Sequence, residues 1–113
     1  MRHEVVERTL EEIDRRLSEE LSVGELARNG GISPAHLIRL FKSDLGITPS
    51  RYLWDRRTRQ GARLLQETGL TVAEIAYRCG FQTPFHFSRL VKKTFGCSPR
   101  ELRNRTWQTT NKG

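Results

Sequence analysis

Apolar residues recur at helical spacing through most of this chain, and no stretch alternates as a strand would. In residues 4–20, Val6, Leu10, Ile13 and Leu17 fall on one stripe and the acidic residues fall off it, which predicts an amphipathic scaffold helix. Ser22-Val-Gly-Glu25 has the form of a capping box, in which the hydroxyl caps an amide and the carboxylate returns to the cap's own amide. It opens a short helix with Val23, Leu26 and Ala27 apolar. Asn29-Gly30-Gly31 closes that helix in a turn, because these residues accept positive φ. Ser33-Pro34 starts another helix, running to about Gly46. Thr48 to Gly69 then reads as one long helix, with Thr48 as cap, Pro49 at the first helical position and Gly69 as the stop. Tyr52, Leu53, Leu64 and Leu65 dock its two ends, and Arg56, Arg57, Arg59 and Arg63 crowd its middle. Beyond it, Thr71-Val-Ala-Glu74 is a second capping box, Cys79-Gly80 a second turn and Thr83-Pro84 a second helix start. Ser98-Pro-Arg-Glu101 caps a short closing helix, and residues 106–113 read as a frayed tail. The fold predicted is all-α.

The two sides of the long helix are copies of one another. Adding 50 to the number takes Pro34 to Pro84, His36 to His86, Arg39 to Arg89, Leu40 to Leu90, Lys42 to Lys92, Gly46 to Gly96 and Pro49 to Pro99. Upstream the offset is 49: Val23 with Val72, Glu25 with Glu74, Ala27 with Ala76 and Gly31 with Gly80. Paired Pro, His, Arg, Lys and Gly at a fixed offset mark a duplication rather than a chance helical pattern. Each copy is two short helices joined by a tight glycine-containing turn, the grammar of a helix-turn-helix. Lobe one covers about residues 4–47, the linker helix about 49–68 and lobe two about 70–105, all within a single domain spanning 1–113.

Within residues 34–45, Leu37, Leu40, Phe41 and Leu45 form the face to be buried, leaving Ala35, Ile38, Arg39 and Lys42 outward. Within 84–95, Phe87, Leu90, Val91 and Phe95 are buried and Phe85, Ser88, Arg89 and Lys92 point out. A helix fits the major groove, where each base pair shows a distinct edge, and the N-terminal residues of the second helix reach those edges. Arg39 and Arg89 are thus placed to bond guanine, and Ala35, Ile38 and Phe85 to lie against thymine methyls. Lys42 and Lys92, further along, suit phosphates, as do Thr83, Ser88, Arg56 and Arg57 around them. Phe85 has folding back into the core as an equal alternative, and His36 and His86 lie at the edge of the outer face. A linker of about 20 residues spans about 30 Å, close to the separation of about 34 Å between successive major-groove segments. Because the two helices present different residues, the expected site is asymmetric.

The net charge of +7 is concentrated where that reading needs it. Residues 34–63 carry 7 basic and 2 acidic side chains, and residues 78–105 carry 7 and 1, whereas residues 1–21 carry 4 and 7. The positive charge therefore sits on the repeats and the linker, as on a nucleic-acid surface. Two cysteines, Cys79 and Cys97, make neither a disulfide framework nor a metal site of usual spacing and read as reduced, partly buried thiols. No nucleophile–base set, phosphate-binding glycine loop or zinc spacing is present, so no enzyme activity, metal or cofactor is expected. With no run of 18 apolar residues and no signal-peptide core, the expected location is the cytoplasm, away from membranes.

Residues 80–103, G-F-Q-T-P-F-H-F-S-R-L-V-K-K-T-F-G-C-S-P-R-E-L-R, closely resemble the signature of AraC/XylS-family transcription regulators. The segment from Leu26 to Leu53 resembles that family's first helix-turn-helix, and the likeness covers about residues 5–105. It implies a seven-helix DNA-binding domain with two helix-turn-helix lobes on a linker helix, usually activating bacterial promoters with RNA polymerase. Carried over by position, the base-reading sites fall on Ala35, Ile38 and Arg39, and on Pro84, Phe85, His86 and Arg89. Ala35 is small where well-known stand-alone members carry a large side chain, and Pro84 and Phe85 replace amides, so a target sequence does not transfer. Most members carry a sensing or dimerisation domain ahead of this one. The resemblance therefore allows either a short MarA/SoxS-like regulator or, slightly favoured, a domain of a longer protein. The rivals to a sequence-specific regulator are a non-specific or architectural nucleic-acid binder and the DNA-targeting domain of a larger repair enzyme.

Overall fold

The computed structural model describes residues 2–112, with side chains for residues 2–105. Its helices are α1 (Glu4–Arg15), α2 (Val23–Asn29), α3 (Pro34–Leu45), α4 (Pro49–Glu67), α5 (Val72–Arg78), α6 (Pro84–Phe95) and α7 (Pro99–Lys112). The all-α, seven-helix expectation is met. The short closing helix and frayed tail expected differ from the structure, in which α7 continues to Lys112; the side chains of residues 106–113 lie outside those described. The chain forms two units that divide between Arg56 and Arg57, inside α4.

Helix starts follow the local chemistry. The amides of Glu25, His36, Arg51, Glu74, His86 and Glu101 donate to the hydroxyls of Ser22, Ser33, Thr48, Thr71, Thr83 and Ser98, at 3.0 to 3.3 Å. Each removes one orphan donor of a helix N-terminus. The reciprocal half of a capping box forms at neither of the two boxes expected, but at the start of α7. Ser98 donates its amide to Glu101 Oε1 at 3.3 Å. Glu25 instead takes Arg16 Nη2 at 3.0 Å, and Glu74 accepts the Thr71 hydroxyl at 3.1 Å. At the other ends, Gly46 and Gly96 adopt φ of 76° and 79°, a left-handed cap that costs a glycine little.

The first helix stops sooner than its apolar stripe suggests. Arg16 leaves helical geometry at φ −112° and ψ 31°. Its guanidinium reaches Glu12 at 2.7 Å, Glu19 at 3.2 Å and Glu25 at 3.0 Å, and Asn29 Nδ2 also donates to Glu12. This network folds the chain back toward α2. Leu17 still packs against the core, from a turn rather than from the helix.

Unit one buries Val6, Leu10, Ile13, Leu26, Ala27, Leu37, Phe41 and Leu53. Asp14 ties α1 to α4 by accepting from the Tyr52 hydroxyl at 3.2 Å and from Arg56 Nε at 3.1 Å. Unit two buries Leu65, Ile75, Ala76, Phe81, Phe87, Val91 and Leu102, together with both free cysteines. Its closing helix is fastened by Arg103, which donates to the carbonyls of Leu65 at 3.0 Å, Thr68 and Leu70 at the end of α4.

The duplication extends further than residue identity reveals. Val6, Thr9, Leu10 and Ile13 are buried on α1, and Thr58, Gly61, Ala62 and Leu65, each 52 residues on, are buried on α4. The second half of α4 is therefore the scaffold helix of unit two, as α1 is of unit one, although almost no side chain is shared. At Gly61 the approach is closest: a Cβ there would lie 2.3 Å from Phe87 Cε1 and 2.6 Å from its Cζ. Phe87 is fully buried, with little room to yield. Gly61→Val is expected to destabilise the protein by about 1–3 kcal/mol through overpacking, seen as a lowered Tm; an unchanged Tm would show that the helices can separate freely.

Candidate nucleic-acid interface

Each helix-turn-helix presents its second helix with one face in the core. On α3, Leu37 and Phe41 are fully buried, with Leu40 and Leu45 packed beside them. Ala35, Arg39 and Lys42 are exposed and Ile38 is half-buried between the faces. On α6, Phe87 and Val91 are fully buried, and Leu90 and Phe95 half-buried. Phe85, Arg89 and Lys92 are exposed, and Pro84, His86 and Ser88 half-buried.

Phe85 resolves the choice left open by its sequence. It is 81% exposed, the most exposed large apolar side chain described, rather than folded into the core. His86, by contrast, turns part of its ring inward, meeting Phe81 edge-on at 5.2 Å and 83°. Burial, and then the charge of Arg89, lower its pKa. Thr83 uses its hydroxyl oxygen to cap α6, leaving the O–H free in geometry to donate elsewhere.

One expected phosphate contact is corrected. Arg57 is only 4% exposed, its guanidinium packed against Gly80 in the α5–α6 turn. Its neighbours in sequence mislead, because Arg56 and Arg59 on either side are exposed. Arg56 remains at the surface while paired with Asp14, at 3.1 Å. Arg59 lies 5.9 Å over the Phe95 ring.

Among the described residues no group of three His, Cys, Asp or Glu side chains is placed to hold a metal, and no helix is long and apolar enough to cross a membrane. What the surface offers is two capped helices with apolar and cationic residues on their outer faces.

A family model described as a helix-turn-helix domain matches residues 26–105. The transcriptional activator RhaS of Enterobacter sp. (strain 638) is 40% identical over 91 residues, covering 80% of this chain and 33% of that protein. A crystal structure of a regulator with an AraC-type DNA-binding domain, from Chromobacterium violaceum, superimposes with a TM-score of 0.85 at 32% identity, covering 90% of this chain and 91% of that one. This chain belongs to the AraC/XylS family. The DNA-binding domain of AdpA, solved in complex with a target DNA, matches at a TM-score of 0.90 and 27% identity over 98% of this chain and 100% of that one. The chain spans about a third of the length of most of the curated relatives it matches. These AraC-family relatives are regulators of transcription, not enzymes.

One exposed residue of this AraC-family domain had no role in the sequence reading. Tyr77, on α5, is 57% exposed. The signal was present in its register, since Ile75, Ala76 and Cys79 take the buried side of that helix.

His86 yields a pH dependence. Its folded-state pKa lies below the ordinary imidazole value, so protonation favours the unfolded chain. Its contribution is complete above about pH 6.5 and is lost as pH falls through that value toward the lower folded one. His86→Gln should flatten the corresponding part of a Tm-against-pH curve, and Arg89→Ala should raise the His86 midpoint in an NMR titration.

Proposed function

We propose that this chain binds double-stranded DNA sequence-specifically as the DNA-binding part of a bacterial transcription regulator. In this reading α3 and α6 enter adjacent major-groove segments. The observation that carries it is the paired exposure of Arg39 and Arg89, at equivalent positions of two helices whose opposite faces are core. An arginine there suits the O6 and N7 of guanine. Ala35, Ile38 and Phe85 take thymine methyls, and Pro84 and His86 complete the base-reading set on α6. Lys42, Thr83, Ser88, Lys92 and Arg56 meet phosphates; Arg57 is excluded by its burial.

The site is asymmetric in this proposal, because Ala35 and Ile38 on one helix are answered by Phe85 and Ser88 on the other. Activation together with RNA polymerase is proposed on the strength of the RhaS likeness, since that relative is named an activator. The AdpA neighbour, solved on its target DNA, supports the DNA-binding mode.

Selection of bound fragments from random duplex DNA, followed by titration at fixed salt, tests this. A preference of about 10³ or more over scrambled duplex is expected of a specific reader, and less than about tenfold would instead indicate a non-specific or architectural binder. Arg89→Ala should cost about 1–3 kcal/mol of binding and relax one base position. Lys92→Ala should weaken all duplexes alike and lower the slope of log K against log salt by about 0.9.

A further inference from the structure

The least exposed of the arginines whose side chains are described lies beneath the turn that leads into α6. A Cβ on Gly80 would lie 2.9 Å from Arg57 Cζ and Nε and 3.2 Å from Nη2, so the guanidinium covers the turn closely. Gly80 also has φ +91°, and its neighbour Cys79 is fully buried. The two groups feel one another: burial raises the Cys79 thiol to about 11 against the opposing pull of Arg57. Burial lowers the guanidinium's own pKa, and an arginine side chain stays charged in a protein. Taking a cation out of water is costly, so its retention here needs a return in structure or function.

Unit one shows the alternative. Val5 stands 52 positions before Arg57 and occupies the equivalent place on its scaffold helix. There Val5 Cγ1 lies 3.0 Å from where a Cβ on Gly30 would be, and nothing lies within 4 Å at Gly31, the counterpart of Gly80. An aliphatic contact thus suffices to seat the turn of unit one. In unit two the same place holds a planar cation with up to five donors, beside Gly80 just past the C-terminal end of α5. From Gly80 the chain needs three residues to reach Thr83, the cap of α6. Phe81, between them, is buried against Phe87 and His86. A rotation at Gly80 is therefore passed to the first turn of α6, where Phe85 is exposed.

We propose that Arg57 is a positioning residue for DNA reading by unit two: its buried guanidinium sets the α5–α6 turn and so the angle at which α6 presents Phe85 and Arg89. This rests on the proposed DNA-binding function for its consequence, but not for its structural half.

Two variants test it, Arg57→Met and Arg57→Lys, each with two readouts. In the free protein, amide exchange of Phe81 and Gln82 should quicken at least tenfold in Arg57→Met, while Ile75 and Val91 keep their protection. On DNA, the preference for the selected site over scrambled duplex should fall at least tenfold, with scrambled-duplex affinity and the salt slope unchanged. Arg57→Lys, which keeps the charge but not the fork, should lose preference in the same way; should Arg57→Met fail to fold, this variant decides. A salt slope lower by about 0.9 would identify a phosphate contact instead, and unchanged exchange with unchanged preference would also overturn the proposal. If the parent protein prefers no duplex, the DNA-binding reading fails by itself, and the exchange readout still judges the role of Arg57 in the turn.

Discussion

The constraint on which the rest of this structure depends is that each second helix must bury one side completely. Leu37 and Phe41 on α3, and Phe87 and Val91 on α6, have no exposed surface. With a helical period of 3.6, that choice leaves only the opposite face to meet anything else. Arg39 and Arg89 are available because the cores beneath them are closed. The scaffold helices complete those cores, and at Gly61 the packing against Phe87 is close enough that a side chain is excluded. Stability and the presentation of the outer face are thus set by the same contacts.

The arginines show how position, rather than residue type, assigns a task. Arg16 gathers three carboxylates where α1 ends. Arg56 pairs with Asp14, Arg103 fastens α7 to the end of α4, and Arg57 is sealed under a turn. Arg39 and Arg89 remain outward. A basic chain is therefore not a uniformly basic surface, and part of the charge counted from composition is spent within the fold.

Much of the architecture was legible beforehand because its signals are local. Caps, glycine turns and apolar spacing act over a few residues, and a duplication of them is visible as a fixed offset. The candidate reading helices followed from the same signals, as did the outward placement of Arg39, Lys42, Arg89 and Lys92. The early end of α1 did not, because it depends on Arg16 meeting Glu25 from another helix. Nor did the return bonds expected of Glu25 and Glu74, whose carboxylates found competing donors. Resemblance to a known family added the names of site positions, but no periodicity could say which of them a neighbouring helix would cover.

By itself the sequence determined the helices, their order, the duplicated helix-turn-helix and the side of each second helix that faces the core. These depend on covalent neighbours and on the hydrophobic effect acting along one element. The tertiary structure alone decided that Phe85 stands in solvent, that Arg57 does not, and that α4 repeats the burial pattern of α1 with different side chains. Such outcomes turn on distances between elements far apart in the chain, which a one-dimensional pattern does not encode.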